Sequence, residues 1–162
     1  MIFVTVGSQK FQFNRLLKYL DELVEKQIIT DEIFAQTGFC DYKPHNYTFK
    51  DFLDRDVFIK KVSESELVIT HGGTGSIMGA VKLGKKVIAV PRLHEFNEHV
   101  DDHQEQIIKQ LMDEKIIMGV LKLEELENIL KEINTFSVIN YESNTNAIID
   151  SIEKYILEMR KK

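Results

Sequence analysis

Leu67-Val68-Ile69-Thr70-His71-Gly72-Gly73-Thr74-Gly75-Ser76 is the stretch that decides the fold. Its first four residues are apolar or β-branched without alternation, the pattern of a strand covered on both faces. The glycine pair breaks that strand. From Thr74 to Leu83 the apolar residues return at helical spacing, and Gly84 stands where a helix C-cap belongs. A strand that hands directly to a helix is the repeating unit of a parallel sheet.

The same rhythm runs outward in both directions. Toward the amino end, Ile2 to Val6 reads as a buried strand closed by Gly7-Ser8-Gln9. Leu16, Leu17, Leu20, Leu23 and Val24 then mark a helix, with Asp21, Glu22 and Glu25 on its outer face. Glu32 to Gln36 is a second strand, Asn46 to Phe49 a short third, and Asp54 to Ser65 a helix. Toward the carboxyl end, Lys86 to Val90 is a strand halted by Pro91. Asn97 to Met112 reads as a helix, Ile116 to Val120 as the last strand, and Leu123–Ile133 and Glu142–Met159 as amphipathic helices. The architecture expected is α/β: a doubly wound, mostly parallel sheet with helices on both faces. In such sheets ligands bind beyond the carboxyl ends of the strands.

The chain has 162 residues, 43% hydrophobic and 29% charged, which fits one globular domain spanning 1–162. A net charge of −5 argues against a non-specific nucleic-acid grip. Cys40 stands alone, so no intrachain disulfide forms, and a buried thiol in a reducing cytoplasm is expected. No basic, apolar leader precedes the first strand, and no apolar run approaches the ~20 residues of a membrane span.

Five of the eight glycines fall between Gly72 and Gly84, immediately after a strand and at the opening of a helix. Glycines there let a ligand approach the backbone, and the helix N-terminus presents unpaired N–H groups with partial positive charge. His71 to Ser76 is therefore read as a phosphate or diphosphate site; a ligand-free turn rarely needs three glycines and two hydroxyls. Three familiar motifs nearly match and fail. The dinucleotide fingerprint meets Met78, although Gly79 would satisfy a looser spacing. Gly79 to Lys86 imitates a P-loop but ends in Lys86. His94-Glu95-Phe96-Asn97-Glu98 lacks the second histidine of a zinc protease.

A second constellation, Pro91 to Gln104, follows the next strand and holds three of the five histidines. His99 and His103 share a face of the predicted helix, but no third metal ligand is in place. With Glu95 and Glu98 near the helix start, the plain reading is a solvated acidic first turn. Val100, Ile107, Ile108 and Leu111 form its inward stripe, and Gln104 falls near the centre. A buried glutamine must find partners. Either it pairs with backbone, or it faces the crevice and reads sugar hydroxyls; the crevice is preferred. Gly7-Ser8 lines that crevice or is an ordinary turn.

Together these residues resemble the nucleotide-sugar-binding, C-terminal half of the two-domain (GT-B) glycosyltransferases, a Rossmann-like fold. More narrowly, the chain is similar to small subunits built on the glycosyltransferase family 28 C-terminal domain. These include bacterial exopolysaccharide and capsule subunits of the PssE/EpsF type and the catalytic subunit of the eukaryotic dolichol-linked UDP-GlcNAc transferase. The resemblance rests on Phe3 to Ser8, Ala35 to Gly38, Ile69 to Ser76, Val87 to Arg92 and Glu98 to Gln104.

The resemblance implies a UDP-sugar donor and no obligatory metal or other cofactor. Gly73, Thr74, Gly75 and Ser76 would take the diphosphate, Ser8 would lie near it, and Asp102 and Gln104 would meet the sugar. Gly7, His71, Gly72, Arg92 and Glu98 complete the expected binding set, and His71 and His99 are candidates for the general base. Two departures stand out: Ser8 replaces the usual threonine, and Gly79 occupies a position where many relatives carry a ribose-binding carboxylate. The function expected is an inverting transferase subunit. It would move a hexose, galactose or glucose, from a UDP-hexose to a lipid-linked saccharide in exopolysaccharide or capsule synthesis. Alternatives are a UDP-GlcNAc transferase subunit, a non-catalytic UDP-sugar-binding enhancer and, remotely, a nicotinamide-type domain. The acceptor half is expected on a membrane-attached glycosyltransferase subunit, which would hold this chain at the cytoplasmic membrane face. In the terminal helix, 142–160, the stripe Ile148, Ile152, Tyr155, Ile156 and Met159 either packs on the sheet or docks that partner.

Overall fold

A computed structural model describes residues 1–137 and 145–159. In chain order the elements are β1 (Ile2–Thr5), α1 (Asn14–Glu25), β2 (Ile33–Gln36), β3 (Thr48–Lys50), α2 (Arg55–Glu64), β4 (Leu67–His71) and α3 (Thr74–Lys82). There follow β5 (Lys86–Val90), a 3-10 turn His94–Phe96, α4 (His103–Asp113), β6 (Met118–Gly119), a second 3-10 turn Leu123–Glu125, α5 (Leu126–Glu132) and α6 (Thr145–Met159). The six strands form one sheet in the order β3-β2-β1-β4-β5-β6, and every pairing is parallel. The order reverses between β1 and β4, so a crevice opens there at the carboxyl ends.

Alternation along the strands sorts side chains into two cores. Ile2, Val4, Ile69 and Ile88 pack with Leu16, Leu17 and Leu20 of α1 and Leu126 of α5. Phe3, Val68, Val87 and Ala89 pack on the other face with Ile77 and Ala80 of α3, Val62 of α2 and Ile108 of α4. Both faces are covered, which is why the strands read as unbroken apolar runs. The doubly wound α/β expectation holds. Cys40 is buried and accepts the Phe13 N–H at 3.0 Å. Gly84 caps α3 at φ +70°.

Three readings change. The helix expected from Asn97 begins only at His103, because Asn97 turns left-handed at φ +55° and the segment to Asp102 is irregular. Val100 is consequently 68% exposed rather than on an inward stripe, and Glu95 and Glu98 do not sit at a helix start. Asp21 is buried, not outward. Its carboxylate accepts the His45 and Asn46 N–H groups at 2.7 and 2.8 Å and the Tyr42 hydroxyl at 2.7 Å. Burial pushes its pKa up, but these donors outweigh it and leave the group below its ordinary value. Finally, the last strand shrinks to Met118–Gly119.

No helix among the described residues is long and apolar enough to cross a membrane. On α6 the stripe Ile148, Ile152, Tyr155, Ile156 and Met159 is exposed, so it is not packed on the sheet. Residues 142–144 and Arg160 lie outside the described residues.

Candidate functional site

The crevice is floored by His71, the last residue of β4. Gly7 leaves β1 at φ +79°, its N–H held by Thr5 Oγ1 at 3.3 Å. A Cβ added to Gly7 would stand 2.6 Å from the His71 ring, and one added to Gly73 would overlap that ring. The imidazole is therefore wedged between the loops after β1 and β4, with Nδ1 3.3 Å from Thr70 Oγ1. Burial, then the positive charge of Arg92, push its pKa down to about 4, against the raising effect of a hydrogen bond to the Thr5 carbonyl. It is neutral at neutral pH and a weak base there.

Gln104 ties the next two loops together. Its Oε1 accepts the Gly72 N–H at 3.0 Å and the Arg92 N–H at 3.1 Å. Of the two readings of this buried glutamine, the structure shows backbone pairing, and the carbonyl oxygen has no lone pair left over for a sugar. A Cβ on Gly72 would come within 2.6 Å of the Gln104 Cβ. Gly72 and Gly73 thus have reasons internal to the protein. Gly75 does not: a Cβ there meets nothing within 4 Å. Of the three glycines, Gly75 alone keeps space open for something else.

α3 begins at this point, with Gly73 as its N-cap and no side chain capping it. The Ser76 and Ile77 N–H groups return to the Gly73 carbonyl at 3.1 Å, while those of Thr74 and Gly75 have no partner among the described residues. Thr74 and Gly75 are exposed and Ser76 half-buried. The arrangement offers free N–H groups, two hydroxyls and a helix dipole to an anion. A groove of about 180 Å³ between α2 and α3 starts at Gly75 and Ser76 and is lined by Phe58, Val62, Gly79 and Leu83. Among the described residues no carboxylate lines it.

The remaining predicted residues divide. Ser8 is exposed on the β1 loop, and Asp102 is exposed at the rim, its Oδ1 accepting the His94 N–H at 2.8 Å. Glu98 is wholly buried and turned inward. Its carboxylate takes Arg15 Nε at 3.1 Å and Nη2 at 2.9 Å, and the Leu93 N–H at 3.1 Å. Arg92 is buried too, donating from Nη2 to the Val6 carbonyl at 2.6 Å. Neither side chain reaches the crevice surface. His99 is half-buried, with Nδ1 3.0 Å from Asp101 Oδ1 and its ring 5.6 Å from that of Phe11. An imidazole oriented by a carboxylate is better placed than His71 to take a proton. His99 and His103 do not share a helix face, and no metal-binding cluster of three occurs among the described residues.

Arg15 and Asp101 escaped the sequence reading. Arg15 lies 83 positions from its partner, beyond any local signal. Asp101 had one: a carboxylate accepting the N–H two residues on, here that of His103 at 3.1 Å, is an Asx turn that leads into the helix.

A doubly wound sheet with an anion-ready helix N-terminus at its switch point defines the nucleotide-binding α/β class. Residues 1–159 match the glycosyltransferase family 28 C-terminal domain, and the chain belongs to that family. Two curated relatives, both UDP-N-acetylglucosamine transferase subunits ALG13, come from Debaryomyces hansenii and Kluyveromyces lactis. They are 32% and 33% identical over 44% of this chain, and the chain spans only 34% and 40% of their length. Among solved structures, Acinetobacter baumannii MurG superimposes with TM-score 0.63 at 20% identity, covering 93% of this chain and 49% of MurG. The NMR structure of ALG13 gives 0.61 at 18% identity, covering 93% of each chain. These structures establish the fold. The PssE/EpsF-type resemblance and the expected hexose and exopolysaccharide context find no support in these relatives.

Proposed function

We propose that this chain is the UDP-sugar-binding part of an inverting glycosyltransferase, with the diphosphate at the N-terminus of α3. The observation that carries the reading is local. The Thr74 and Gly75 N–H groups have no partner among the described residues, and a Cβ on Gly75 would meet nothing within 4 Å. As the sugar–phosphate bond breaks, negative charge grows on the leaving diphosphate, and fixed donors at a helix N-terminus stabilise it without reorganising. His99, oriented by Asp101, is the residue of this chain best arranged to accept the acceptor's proton. The names of the two curated relatives put UDP-GlcNAc ahead of UDP-glucose or UDP-galactose as donor. Their designation as subunits, with the exposed apolar stripe on α6, supports catalysis in company with an acceptor-binding partner.

Calorimetric titration with UDP, UDP-GlcNAc, UDP-glucose, UDP-galactose and NAD tests the reading. UDP and one UDP-sugar should bind; NAD binding without UDP binding overturns it. A transfer assay with and without a co-expressed partner then separates an enzyme subunit from a silent enhancer.

A further inference from the structure

Arg92 is among the largest fully buried side chains of the protein, 1% exposed, yet only Nη2 is bonded, to the Val6 carbonyl. Nε and Nη1 have no partner among the described residues. The carboxylate in this neighbourhood, Glu98, is already spent on Arg15 and the Leu93 N–H. Arg15 takes that carboxylate directly, so Glu98 offsets the Arg92 charge only in part and without a hydrogen bond to it. Cys40 does not supply an anion, because burial holds its thiol above the ordinary range. The Phe13 ring, 5.6 Å from the guanidinium carbon, gives only a weak cation–π contact.

A buried cation without a directly bonded counter-ion is costly, and a neutral side chain would bridge two loops more cheaply. Its position suggests what offsets the cost. The guanidinium grips Val6, directly before Gly7, and the Arg92 N–H shares Gln104 Oε1 with Gly72, so the residue spans the loops on either side of His71. Its charge also reaches the crevice floor, where it contributes to the lowered His71 pKa.

We propose that Arg92 is a positioning residue that holds a positive potential beneath the crevice and so favours the donor's diphosphate without touching it. This rests on the UDP-sugar reading above. In low dielectric such a charge acts over several ångströms with little screening.

The test compares UDP with uridine, which lacks the phosphates, by NMR titration of the wild-type chain and of Arg92→Gln, Arg92→Met and Arg92→Lys. Arg92→Gln retains a donor for Val6, so it carries the comparison if Arg92→Met does not fold. UDP affinity should fall about tenfold or more in the neutral variants while uridine affinity holds, and Arg92→Lys should recover most of the loss. Equal losses for UDP and uridine, or unchanged UDP affinity, overturn the proposal. A wild-type chain that ignores UDP overturns the donor reading itself, and this inference with it.

Discussion

The two rims of the sheet are built differently. At the carboxyl rim Thr70, His71, Arg92, Glu98 and Gln104 are all buried polar groups, packed around glycines that allow no side chain. At the amino rim lies a larger cavity, about 470 Å³, lined by Met1, Ile28, Ile29, Lys85, Lys86 and Leu130. Its lysines have ordinary work: Lys86 Nζ donates to the Ile133 and Asn134 carbonyls after α5, and Lys85 Nζ to the Ser63 carbonyl in α2. Volume does not choose between the rims, since a pocket of about 530 Å³ beside Arg15, Phe96 and Glu98 is larger still. Buried polar groups are retained only where they are satisfied or useful, and that criterion chooses the carboxyl rim.

The sharpest way to break this contrast is to remove Glu98. Glu98→Ala leaves Arg15 and the Leu93 N–H without their partner and should cost about 3–5 kcal/mol in urea melts. A loss below about 1 kcal/mol would mean that the rim is not held by its buried charges. Next comes pH. The folded pKa of His71, about 4, lies below its unfolded value of 6.5. The unfolded chain therefore binds more protons between these values. This contribution is complete above pH 6.5 and is lost as pH falls toward 4, roughly 3 kcal/mol in all. His71→Gln should flatten the stability profile across that window; an unchanged slope would remove His71 as its cause.

Gly75→Leu is the functional counterpart. The side chain enters open space, so thermal stability should hold or rise slightly, since glycine is a poor helix former. UDP affinity should drop about a hundredfold. Undiminished binding would place the phosphates elsewhere. The smallest effect belongs to the amino rim, where Lys85→Ala should change stability by under about 0.5 kcal/mol and leave UDP affinity untouched.

The same contrast explains what could be read from the amino acids. Strands buried on both faces announce themselves as apolar runs, so the sheet and the βα alternation were legible down to Gly84. The anion-ready turn at Gly72 to Ser76 was legible because glycine clusters are uncommon. The rim between Pro91 and Asp102 was not. Val100, set beside Ile107, Ile108 and Leu111, imitates a continuous helical stripe. What actually shapes that segment is long-range: Glu98 reaching Arg15 and Asp102 closing on His94. Arg92 and Gln104 looked like ligand contacts, since nothing local tells a polar residue that faces a crevice from one that supports it.

The central claim is that the carboxyl rim takes the nucleotide diphosphate. Amide chemical-shift mapping during a UDP titration tests it most directly. The largest perturbations should fall on Gly72 to Ile77, with Ile28 to Asp31 and Lys85–Lys86 unmoved. Perturbations centred on the amino rim, with Thr74 and Gly75 silent, would contradict it.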